Sequence, residues 1–172
     1  TSITQGGCAS RPGMTYSNIL GRWFDCEAIN LGFSGNARMD RSMLEAIKRI
    51  DAQKYVINCL PNCTQDIIRD SAYHFMSTLA KERPEVTIYM VENVEFTDRH
   101  INQRTAKDLV EKNRMWSDLY KQLRKEGYKN LRYIPSEGYV GTDDEHSVDG
   151  AHFTDLGFMR MAETFKKYLK KR

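Results

Sequence analysis

Nowhere in the 172 residues does an apolar run approach the roughly 20 positions a bilayer-spanning helix needs, which excludes a helical span from the sequence. Charge of one sign is also scarce. Against 26 Lys and Arg stand 23 Asp and Glu, a formal net charge of +3, too little for a nucleic-acid-binding surface. Much of that excess crowds the C-terminal end, where Lys166, Lys167, Lys170, Lys171 and Arg172 complement the dipole of a closing helix and keep it solvated. Cysteine is limited to Cys8, Cys26, Cys59 and Cys63, with no CxxC pair; the nearest two, in "CLPNC", flank a Pro-Asn turn and not a zinc knuckle. They read as buried thiols, with a Cys59–Cys63 disulfide or another pairing as the alternative. The glycines of "GFSGNAR" fit neither Walker A nor G-x-G-x-x-G, so no standard phosphate loop is present. There is no repeat, no linker and no break in composition, and neither an initiator Met nor a signal peptide opens the sequence.

What is present suits one soluble globular domain with a substantial core: 40% of residues are apolar and 28% charged. Four short apolar runs ending in turn residues read as buried strands: Cys26 to Phe33, Lys54 to Leu60, Val86 to Val94 and Leu131 to Pro135. Between and after them lie helical periodicities. Ile68, Ala72, Phe75 and Leu79 share one face, as do Ala106, Leu109, Trp116, Leu119 and Leu123, and then Leu156, Met159, Ala162, Phe165 and Leu169, a face expected to pack on the sheet. Arg41 to Ile50 forms a shorter helix, and Pro84 and Gly127 stop two of the others. Strands alternating with helices predict an α/β architecture with a parallel sheet, whose ligand site lies beyond the carboxyl ends of the strands. The polar loops there are "GFSGNAR", "PNCTQD" and "SEGYVGTDDEHSVDGAH", with "TSITQGG" in the same position if a first strand precedes Thr1.

Those loops carry the chemistry. A serine hydroxyl is scarcely ionised near neutral pH, so as a nucleophile it needs an imidazole to take its proton and a carboxylate to hold the imidazole. Ser2, His152 and Asp149 are the candidates, the last two spaced Asp-x-x-His just before the closing helix. An oxyanion needs donors. Gly32 offers a backbone N–H that no side chain obstructs, Asn62 a side-chain amide, and Ser2 its own N–H. Without those partners, Asp149 and His152 read as a helix entry that contains a histidine. His146 beside Asp143, Asp144 and Glu145 reads as part of a solvated acidic loop in preference to a metal site. Arg38 either contacts a polar substrate or pairs with a carboxylate such as Asp40. Asn62-Cys63-Thr64 fits a glycosylation sequon, which is set aside because an oxyanion-hole asparagine cannot carry a glycan.

In order and spacing, Ser2, Gly32, Asn62 and His152 resemble the four blocks of the SGNH, or GDSL-type, hydrolases. "TSITQGG", "LGFSGNARMD", "CLPN" and "DGAHFTDLG" carry the resemblance, which is strongest to a branch common in Bacteroides-like bacteria that reads Cys-Leu-Pro-Asn in its third block. The resemblance implies a three-layer α/β/α, flavodoxin-like sandwich and hydrolysis of an ester without cofactor or metal. Ser2 would be the nucleophile, His152 the base and then acid, Asp149 its orienter, and Ser2, Gly32 and Asn62 the oxyanion donors. It implies deacylation, often deacetylation, of carbohydrate or small-molecule esters, and export to the periplasm or beyond. It also implies that residues 1–172 form one domain lacking a first strand upstream of Thr1. Two departures are visible: the glycine expected before Thr1 is missing, and Pro61 and Cys63 flank Asn62 where the more familiar block reads Gly-x-Asn-Asp. A lipase or thioesterase acting on longer acyl chains and a non-catalytic glycan- or nucleotide-binding module on the same scaffold are the competing readings. The oligomeric state is not expressed in the sequence.

Overall fold

A computed structural model describes residues 1–170; Lys171 and Arg172 of the C-terminal basic run lie outside the described residues. The chain forms two compact units, each assembled from separated segments.

One unit comprises residues 37–93 and 107–135 and contains the sheet. Strands β1 (Lys54–Ile57), β2 (Thr87–Val91) and β3 (Leu131–Ile134) lie side by side in that order, all parallel, with Tyr55 opposite Ile88 and Met90 opposite Tyr133. Parallel neighbours need long crossovers, and two helices supply them. After α3 (Arg41–Ile47) and β1, helix α4 (Gln65–Glu82) leads to β2, and α5 (Gln103–Lys125), which belongs to this unit from Lys107 on, leads to β3. The four interior residues expected on α4 are all buried, as are Leu109, Trp116 and Leu123 of α5. With Leu60, Ile88, Met90 and Leu131, the four α4 residues and Trp116 and Leu123 form one apolar core. Local chemistry fixes the ends. Thr64 caps α4 by accepting from Ile67 N–H, and Asn130 Nδ2 donates to the carbonyls of Ala80, Arg83 and Val86, tying the end of α4 to the approach to β2.

The other unit comprises residues 1–36, 94–106 and the segment from Ser136 onward. It holds α1 (Ser2–Gln5), α2 (Tyr16–Phe24) and α6 (Asp155–Tyr168). Here α6 packs against α2, with Tyr16 and Phe165 edge to face at 5.3 Å and Tyr139 on the same Phe165 at 5.1 Å. Burying each such ring contributes about 1.5–3 kcal/mol.

Two sequence expectations need correcting in this unit. The run from Cys26 to Phe33 is not a strand. It has no regular structure, and side-chain bonds take the place of a ladder: Asn30 Nδ2 donates to Thr4 O at 2.7 Å and to Ser17 Oγ at 3.0 Å, while Ser34 N–H donates to Gln5 Oε1. Its alternate apolar residues Ile29, Leu31 and Phe33 are exposed instead of buried. The second correction concerns α6, whose buried face is Gly157, Phe158, Met161, Ala162 and Phe165, while Leu156 is 43% exposed. Leu156 therefore falls on the solvent side. No helix among the described residues is long and apolar enough to cross a membrane.

Candidate active site

Ser2 opens α1, with Thr1 as its N-cap accepting from Thr4 N–H. The helix lasts only one turn because Gly6 follows in the left-handed region (φ 103°), closing it with bonds to the carbonyls of Ser2 and Ile3. Gly7 then runs directly alongside the imidazole of His152: a Cβ there would sit 3.3 Å from His152 Cδ2 and 3.7 Å from Ser2 Cβ. The doubled glycine, Gly6 and Gly7, stands out in the sequence just after Ser2, where it leaves the hydroxyl accessible; its close approach to the imidazole is seen only in the structure.

His152 arrives from the far end of the chain. Residues 147–153 form a small closed loop, with Ser147 bridged antiparallel to Phe153, Val148 N–H donating to His152 O, and Thr154 N–H donating to His146 O. At the tip, Gly150 adopts φ 97° and its carbonyl accepts from Thr97 N–H at 3.0 Å. Immediately after the loop Thr154 caps α6, and Asp155 at the first helical position accepts from Ser10 N–H at 2.9 Å and Ser10 Oγ at 2.5 Å. The segment carrying Ser2 is thereby fastened to the helix that carries the histidine loop.

Within this frame Asp149 Oδ1 accepts from the backbone N–H groups of Ala151 (3.0 Å) and His152 (2.7 Å), and Oδ2 lies 2.6 Å from His152 Nδ1. The backbone bond from His152, then the bond with its ring, pull the Asp149 carboxyl down to about 2. An ionised carboxylate only accepts, so the imidazole carries its proton on Nδ1 and turns a lone pair on Nε2 toward Ser2 Oγ, 2.8 Å away. Ser2, His152 and Asp149 thus form one hydrogen-bonded chain inside one unit, the arrangement that can activate a serine hydroxyl.

The donor assigned to Gly32 does not survive in that form. Its N–H donates to Asn30 Oδ1 at 2.8 Å, a bond that closes the turn and occupies the group. What Gly32 contributes is space: a Cβ would stand 2.0 Å from Gln5 N and 2.5 Å from Gln5 Cα, so only glycine lets the loop lie against α1. Asn62 belongs to the sheet-bearing unit, at the end of a 3-10 turn (Leu60–Asn62), where its Oδ1 accepts from Ala37 N–H at 3.2 Å. The flanking cysteines are free thiols; Cys59 and Cys63 are buried, whereas Cys8 and Cys26 are exposed, contrary to the buried reading for those two. Hydrogen bonding between the buried pair, together with burial, pushes the Cys59 thiol up, while the same bond draws Cys63 down.

The acidic loop is held by arginines. Arg160 forks onto Asp143 at 2.6 and 2.8 Å, and Arg99 onto Asp144 at 2.7 and 3.1 Å. His146 is not part of a solvated loop: it is 3% exposed, edge to face with Phe153 at 5.7 Å.

Comparison with known proteins places this geometry. The profile of the GDSL-like lipase/acylhydrolase family matches residues 1–170. A solved structure described as a GDSL-like lipase from Bacteroides ovatus superposes with a TM-score of 0.93 at 36% identity, covering 98% of this chain and 50% of that one. A salicylyl-acyltransferase from a tetracycline biosynthetic pathway (TM-score 0.75, 13% identity, 94% of this chain and 50% of that) shares the fold. So does a protein described as a platelet activating factor from Streptococcus pneumonia (0.67, 15%, 94% and 80%). The chain spans about half the length of the Bacteroides ovatus protein. No curated protein is significantly similar. With the parallel α/β sheet, the ordered sequence blocks and a match running from the first described residue to the last, the chain belongs to the GDSL-like lipase/acylhydrolase family.

Proposed function

We propose that the protein is a serine ester hydrolase that removes acyl groups, acetyl foremost, from carbohydrate or small-molecule esters. The observation that carries this reading is the chain Ser2 Oγ to His152 Nε2 to Asp149, at 2.8 and 2.6 Å. Ser2 gives its proton to His152 Nε2 as Oγ attacks the ester carbonyl carbon, and Asp149 stabilises the imidazolium that forms. The tetrahedral intermediate collapses when Nε2 returns the proton to the departing alcohol oxygen. Water then enters by the same route: it gives a proton to Nε2, attacks the acyl-serine, and Ser2 recovers its proton as the acid leaves.

The oxyanion needs donors that are not otherwise spent. Ser2 N–H qualifies, because the first N–H groups of a helix have no acceptor within it. Asn62 is the second donor on motif grounds; with Oδ1 accepting from Ala37, Nδ2 is the group it has to offer. Gly32 is not retained as a donor.

A second reading, a lipase or thioesterase acting on longer acyl chains, draws on one feature: Ile29, Leu31 and Phe33 are exposed on the segment bonded to α1. Hydrolysis of C2 and C8 aryl esters tests both readings. A C2 preference supports deacetylation, and a C8 preference the alternative. In either case Ser2→Ala is expected to lower kcat by about 10⁴–10⁶-fold and to abolish labelling by a fluorophosphonate with the fold intact. Turnover surviving that substitution overturns the mechanism, and an unlabelled wild-type serine would favour a non-catalytic binding module.

A further inference from the structure

Beside the imidazole stands a side chain that the proposed hydrolysis does not use. Gly6 turns the chain, Gly7 passes flat along the His152 ring, and Cys8 follows in the left-handed region at φ 69°. The Cys8 thiol, a carboxylate oxygen of Asp149 and a ring nitrogen of His152 all lie within 4.8 Å of one another, and no other group of three or more such ligands occurs among the described residues. Cys8 and Asp149 are exposed and His152 is partly so, so an ion could enter without any opening of the fold.

The donor set selects the ion. Thiolate, imidazole and carboxylate together suit zinc, bound at about 2.3 Å by sulfur and about 2.0–2.2 Å by nitrogen and oxygen; magnesium and calcium want oxygen alone. Tetrahedral bonds of that length put neighbouring ligand atoms roughly 3.5 Å apart, so separations of up to 4.8 Å close by about 1 Å, and where Nδ1 is the ring ligand its 2.6 Å contact with Asp149 Oδ2 opens by a similar amount.

We propose that Cys8, Asp149 and His152 form a three-ligand site for zinc or a similarly thiophilic divalent cation, and that filling it switches the hydrolase off. The Cys8 thiol loses its proton to solvent as the Zn–S bond forms, and the fourth position is left to water. Whichever ring nitrogen binds, the catalytic chain is broken. Metal on Nε2 takes away the lone pair that faces Ser2, and metal on Nδ1 takes the place of the bond to Asp149. Only the inhibitory consequence rests on the hydrolase reading; the binding site stands on its own geometry.

Two measurements test it. Cobalt(II) added at one equivalent is expected to give a near-ultraviolet thiolate-to-cobalt charge-transfer band, displaced by zinc, lost in Cys8→Ser and kept in Cys26→Ser. Zinc is expected to inhibit ester turnover reversibly, with EDTA restoring it. Cys8→Ser should raise the half-inhibitory zinc concentration tenfold or more, each protein being compared with its own metal-free rate. Absence of the band from the wild type, its survival in Cys8→Ser, or equal zinc sensitivity of the two proteins overturns the proposal. A Cys8-dependent band in a protein without esterase turnover supports the site and locates the failure in the hydrolase reading.

Discussion

A side chain that is missing can position a site as firmly as one that is present. At Gly32 the nearest obstacles to a Cβ are Gln5 N, Gln5 Cα and the Thr4 carbonyl carbon, all backbone atoms of the helix that Ser2 begins. A flexible side chain could swing aside, but these atoms cannot yield unless α1 moves. Gly32→Ala is therefore expected to cost about 1–3 kcal/mol of stability. It should also cost up to about 100-fold in kcat, since displacing the nucleophile by an ångström has that effect. Thermal melting alongside steady-state kinetics checks both, and a variant as stable and as active as the wild type would show that α1 and the loop are not in register as described. Asp149 is the opposite case, where both carboxylate oxygens are engaged. One oxygen takes two backbone N–H groups and the other orients the ring, so the carboxylate shapes its loop and fixes the histidine tautomer together.

At the scale of the element, the start of α6 joins both halves of the candidate triad. Thr154 caps the helix two residues after His152, and Asp155 holds Ser10 through two bonds, so the chain leaving Ser2 is clamped to the helix that follows the His152 loop. Asp155 touches none of the reacting groups, which makes it a positioning residue. Asp155→Ala is expected to lower kcat by up to about 100-fold with KM little changed. A fall in stability with kcat intact would assign Asp155 a purely structural role. Much of this was legible beforehand. Capping, periodicity and the Asp-x-x-His spacing located α4, α5, α6, three parallel strands and the Ser2, His152, Asp149 set. What could not be read was the partner of each apolar run. Cys26 to Phe33 has the composition of a strand, yet Asn30 and Gly32 bind it to α1, and that depends on a contact with residues about 26 positions away in sequence, as in the bond from Asn30 to Thr4. Gly32 N–H looked open for the same reason: an Asx turn from Asn30 is local, but nothing in the spacing announces it. α1 is a single turn, too short to show a period, whereas α2 was missed although Tyr16, Ile19 and Leu20 lie on one face at helical spacing.

Across the whole molecule, acid acts on different groups in separate windows. Asp149, Asp143 and Asp144 all have carboxyls held below the ordinary aspartate value, by bonds with His152, Arg160 and Arg99 respectively. A carboxyl whose folded value is depressed contributes stability that is complete above its unfolded value near 3.8 and is lost only as pH falls below that, through about 2 for Asp149. These three are therefore silent between pH 7.5 and 5.5. His146 is not silent there. Its ring is buried against Phe153, and desolvation lowers its value below the ordinary 6.5 despite the opposing pull of Asp144. As pH falls through about 6.5, the unfolded chain takes up a proton that the folded chain refuses, so the unfolded state binds more protons and stability declines. Phenylalanine at this position preserves the aromatic contact and removes the titration. The melting temperature of the wild type is thus expected to fall between pH 7.5 and 5.5, and His146→Phe to flatten that fall. An identical slope in the two proteins would mean that His146 does not govern the acid limb of stability.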